Sequence, residues 1–66
     1  MQKWEEASQA LHRALDIASE NDESDVMAQI YYELSICYSH IDKNLSERYR
    51  LMFYESRDSI MKQKKL

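Results

Sequence analysis

The sequence contains no glycine and no proline. At average usage, about eight would be expected in a chain of 66 residues. Their absence removes the residues that break helices and those that most readily take positive φ, which argues for helices and against hairpins. Turns must then be made by Asn, Asp and Ser. A single cysteine, Cys37, excludes an internal disulfide framework. It fits a reduced compartment and favours a cytoplasmic setting, although the sequence does not fix the location. With His12 and His40 it gives too few ligands for a structural zinc site, which normally takes four. No apolar run approaches the roughly 20 residues of a membrane span, and no leader pattern is expected at the start.

The length sets the next bound. A chain this short is one domain, residues 1–66. It hides only about 60% of its unfolded surface, so its core is thin and outside support is common. Charge is unevenly spread. Residues 1–33 hold eight acids and two bases, and residues 34–66 hold four acids and seven bases. The basic half carries Arg48, Arg50, Arg57, Lys62, Lys64 and Lys65. Glu47, Glu55 and Asp58 interrupt the run, so it reads as cations gathered toward a helix C-terminus, where the dipole favours them. Neither nucleic acid nor a membrane is expected as a partner.

Three helical segments follow from the apolar spacing, at about residues 2–19, 25–41 and 45–62. In the first, Trp4, Ala7, Leu11, Ala14, Leu15 and Ala18 recur three and four apart. The small side chains of Ala7, Ala14 and Ala18 are expected to let a neighbouring helix approach closely. On that expectation Ala14→Leu overpacks the face and costs about 1–3 kcal/mol. The acidic stretch 20–25 reads as a loop, with Asp22 or Ser24 as the cap of the second helix. That helix carries two adjoining stripes: Val26, Ile30, Leu34, Cys37 and Ile41, and Met27, Tyr31, Leu34 and Tyr38. Such a wide arc suits a helix with two neighbours. A short break at 42–44 implies an antiparallel third helix, capped by Asn44 with Glu47. Leu45, Tyr49, Met52, Phe53, Ser56 and Ile60 form its inner stripe. The expected fold is all-α, three antiparallel helices.

Leu51, Tyr54 and Met61 fall off the inner stripe of the third segment, and Tyr32 falls off both stripes of the second. These four are the candidate partner contacts, because an exposed large apolar side chain is free to meet another molecule. Catalysis is not expected. Cys37 and His40 stand three apart, but a nucleophilic pair also needs an orienting group and an oxyanion hole. The buried cysteine reads instead as a small hydrophobe. Glu5 and Glu6 diverge by about 100° on a helix and form no facing carboxylate pair. The tyrosines fall mostly at core spacing, without the basic groove that base stacking requires. The ending Lys64-Lys65-Leu66 lacks the small residue of a peroxisomal signal. No cofactor and no metal are expected.

The run Tyr31-x-x-Leu34-Ser35-x-x-Tyr38 resembles the first-helix signature of the tetratricopeptide family, W-x2-L-G-x2-Y. Ala7-x3-Leu11-x2-Ala14-Leu15 is similar to that family's second helix. The order is then second helix, first helix, second helix, about one and a half repeats, and it covers most of residues 4–56. At the corresponding places the third segment has Leu45, Tyr49, Met52 and Phe53, large where the repeat is small. The resemblance implies a piece of a longer helical-hairpin array, a non-catalytic adaptor or scaffold that holds a protein or peptide partner. It also implies self-association through the third helix as a substitute for missing neighbours. Many members of that family carry Asn just before the signature Leu, where this chain has Glu33. The second segment also has no Lys, Arg or Asn, so a receptor for chaperone tails is not expected. Two other settings fit the same residues: a repeat segment of a bacterial sensor or transcriptional regulator, and a self-contained three-helix domain similar to the microtubule-interacting-and-trafficking family.

Overall fold

The chain is all-α. Helix α1 spans Trp4–Glu20, α2 spans Ser24–Tyr38 and α3 spans Lys43–Lys64. The computed structural model describes residues 3–64, with side chains through residue 61. Residue 2, Lys65 and Leu66 therefore lie outside the described residues, as do the side chains of Lys62 and Lys64.

Acids Glu5 and Glu6 in the first turn of α1 sit where the helix dipole favours negative charge. The break after α1 is shorter than the acidity of 20–25 suggests, only residues 21–23. A Schellman turn makes this tightness possible. Glu23 N–H donates to the Ala18 carbonyl at 2.9 Å, and Asp22 N–H donates to that of Ser19 at 3.3 Å. The motif needs one left-handed residue, normally glycine. Here Asp22 takes it, at φ 54°. Neither Asp22 nor Ser24 caps α2. Glu23 holds that position without a side-chain bond. At the second break, Asp42 displaces Asn44 as the cap of α3: its Oδ1 accepts the Asn44 N–H at 3.0 Å. Helix α2 ends at Tyr38 and not near 41, which drops Ile41 into the turn, 43% exposed.

Helix α2 is the hub. It packs on α1 and on α3, while the backbones of α1 and α3 do not meet among the described residues. Both neighbours run antiparallel to it. Trp4 at the start of α1 stacks on His40 beyond the end of α2, and Phe53 of α3 meets Tyr32 of α2. The core is correspondingly small. Ala18, Ile30 and Leu34 are buried together, with Leu11, Leu15, Met27, Tyr38 and Tyr49 closing around them.

Small residues do allow a close approach, but chiefly elsewhere than expected. Ala18 is buried, Ala7 is half-buried and Ala14 is exposed. The close seam lies between α2 and α3, at buried Ala28, Ser35 and Ser46. Ser46 Oγ donates across it to the Ser35 carbonyl at 2.7 Å, and Ser35 Oγ donates to the Tyr32 carbonyl at 2.6 Å. A hydroxyl that bonds a helix carbonyl can be buried as safely as a methyl group. Met52 and Val26 depart from their expected stripes and are exposed.

Candidate partner-binding cleft

Tyr32 and Ile36 stand four apart, one turn, and so share a face of α2. Both are exposed. Beside them α3 contributes Arg50, Phe53 and Tyr54. The Phe53 ring lies 5.2 Å from that of Tyr32 and 5.6 Å from that of Tyr54. With Ser35 and Ser39 these residues line an open cleft of about 300 Å3. Its walls are aromatic and aliphatic, and Arg50 supplies a cation. Tyr, Phe and Arg are the residue types that concentrate binding energy at protein interfaces.

Another set of rings fills the seam between α1 and α3. Tyr38 and Tyr49 stack at 5.4 Å, and Tyr31 lies 6.4 Å from Tyr49. His12 sets its ring edge against Tyr49 at 5.9 Å, and its Nε2 is hydrogen-bonded to Tyr38 Oη at 3.0 Å. Burial pushes the Tyr49 hydroxyl above its ordinary value of 10.0, with Tyr38 and Tyr31 adding to the rise and Arg48 opposing it. These rings hold the three helices together, so Tyr31, Tyr38 and Tyr49 are structural.

Cys37 and His40 are not brought into a reactive pair. Cys37 is buried, whereas His40 is exposed and lies flat on Trp4, with ring centroids 4.1 Å apart. Burial, helped by Glu33, pushes the thiol above 9.0, away from the thiolate that nucleophilic attack requires. Among the described residues, no three His, Cys, Asp or Glu side chains gather as a metal site. No described helix is long and apolar enough to cross a membrane.

Of the four candidate contacts, the structure brings Tyr32 and Tyr54 together in the cleft, on either side of Phe53. Leu51 and Met61 are exposed but do not line it. Ile36, Arg50 and Phe53 were not among the candidates. Ile36 had a usable signal, since it stands one turn from Tyr32 and off both apolar stripes. Phe53 had none, because its spacing assigns it to the core, and it is in fact half-buried. The chain matches no family model, and comparison with curated proteins and solved structures likewise gives no match.

Proposed function

We propose that the protein is a non-catalytic protein–protein interaction module that captures a partner segment in the α2–α3 cleft. The observation that carries this reading is the juxtaposition of Tyr32, Ile36, Phe53, Tyr54 and Arg50 on one open surface. An apolar and aromatic residue set beside a cation suits a partner that offers a large apolar side chain next to a carboxylate. The open arrangement supports an array-like adaptor of the tetratricopeptide type over a self-contained bundle. In a closed three-helix bundle α1 and α3 would meet, and here their backbones stay apart.

The test is a peptide-display selection against the whole chain, with the selected peptides measured by fluorescence anisotropy. Peptides that pair an aromatic or aliphatic residue with Asp or Glu are expected to be selected. Their affinity should fall about tenfold or more with Tyr32→Ala or Tyr54→Ala, the cost of losing one aromatic anchor. Selected peptides that bind both variants as tightly as the parent would remove the cleft from the function.

A further inference from the structure

The walls of the α2–α3 cleft are closed to a partner's backbone. Tyr32, Ser35 and Ile36 lie inside α2, and Arg50, Phe53 and Tyr54 lie inside α3, so their N–H groups are spent on helix bonds. The carbonyls toward the end of α2 are taken as well. That of Tyr32 accepts Ser35 Oγ at 2.6 Å. That of Ser35 accepts Ser46 Oγ at 2.7 Å and Ser39 N–H at 3.1 Å. That of Ile36 accepts both Ser39 Oγ and Ser39 N–H. The hydroxyl protons of the two lining serines are thereby committed too. What remains for a partner is apolar surface, the tyrosine hydroxyls and Arg50, the charged side chain among the described lining residues. An extended segment presents an N–H and a C=O at nearly every residue and finds little here to bond them. A helical segment bonds its own backbone and needs nothing from the walls except side-chain contact.

The spacing of the walls agrees. Tyr32 and Ile36 stand one turn apart, the interval at which a neighbouring helix sets its own side chains. The antiparallel register puts Phe53 beside Tyr32 and Ser46 beside Ser35. Arg50, one turn before Phe53, therefore lies toward the Ile36 end of the cleft, and Tyr54 stays with Tyr32. We infer that the occupant is an amphipathic helix of another protein. It seats a large apolar side chain among Tyr32, Phe53 and Tyr54, and it holds an Asp or Glu three or four residues away against Arg50. This rests on the cleft being the binding site, and it adds the partner's conformation and the spacing of its two anchors.

Two display libraries selected against the whole chain separate the conformations. One randomises an exposed face of a rigid helical scaffold. The other is linear and carries regularly spaced proline, which keeps it extended. The helical library should yield binders that Tyr32→Ala or Tyr54→Ala weakens about tenfold or more. Those binders should share an apolar residue with an acid three or four positions away. In the matching synthetic peptides, proline placed between the two should cost about a hundredfold in affinity. Arg50→Glu should weaken binding about fivefold or more. Exchanging the peptide acid for Lys should restore binding to that variant, a rescue that a misfolded chain does not show. Cleft-dependent binders from the extended library alone overturn the inference and leave the cleft reading standing. Helical binders indifferent to Arg50→Glu overturn it as well. If neither library gives a binder that depends on Tyr32 or Tyr54, the cleft reading fails and the inference with it.

Discussion

Single residues carry conformations here that glycine carries elsewhere. Asp22 sits at φ 54° to close the Schellman turn after α1. The left-handed region costs an L-residue about 1–2 kcal/mol, less for Asp, whose short side chain bonds locally. Asp22→Gly is therefore expected to stabilise the chain by about 0.5–1 kcal/mol, after allowing for the greater freedom of glycine in the unfolded state. In a thermal melt this is a rise of about 2–8 °C. A lower midpoint would mean that the Asp22 side chain contributes more than its backbone costs. Cys37 and Tyr49 make a second prediction at this scale. Burial is the first cause of the raised pKa of each, from 9.0 and 10.0 respectively. A raised folded-state pKa means that the neutral form is favoured in the native state. The stability it confers is complete below the unfolded pKa and is lost as pH rises through the folded one. Denaturant midpoints should thus hold steady up to about pH 9 and fall beyond it. Over the same range, native Cys37 should label slowly with a thiol reagent and quickly once unfolded. Rapid native labelling at neutral pH would contradict its burial.

At the scale of the element, the helices were legible because their signals are local. Apolar spacing and the absence of breakers place all three to within a few residues. Boundaries slipped where capping decides them. Ile41 continues the apolar stripe of α2, yet the turn at 39–42 ends the helix early so that Asp42 can cap α3. Faces slipped where polarity misleads. Ser8, Ser35 and Ser46 count as surface residues in a pattern, but each hydroxyl donates to a helix carbonyl and is buried. The expectation for Ala14 failed for a related reason. Leu11, Leu15 and Ala18 define the buried face of α1, and Ser8 extends it on the side away from Ala14. Ala14→Leu is now expected to change stability by less than about 0.5 kcal/mol, as exposed substitutions do. Ala18→Leu, at 2% exposure, is expected to cost about 1–3 kcal/mol by overpacking. Equal costs in chemical denaturation would mean that the two faces of α1 had been confused. The cleft was half legible. Tyr32 and Tyr54 stood out as off-stripe aromatics, but only the register of α2 on α3 sets them around Phe53. That register rests on Ser46 and Ser35, which no apolar pattern reveals.

Across the whole molecule, one helix packs along two others whose backbones do not meet among the described residues, while His12 of α1 and Tyr49 of α3 touch ring to ring. Leu34 is the large side chain that is fully buried among the described residues, so little apolar area is committed within the chain. The rest stays on the surface, in the α2–α3 cleft and along the flanking helices. The proposed capture of a partner segment in the α2–α3 cleft rests on this arrangement. Solution NMR tests it most directly, through nuclear Overhauser contacts in a dilute sample. The account predicts dense contacts between α1 and α2 and between α2 and α3, with the α1–α3 boundary crossed by the rings of His12 and Tyr49 and by no backbone pair. A continuous set of backbone contacts between α1 and α3 would describe a closed bundle and contradict it.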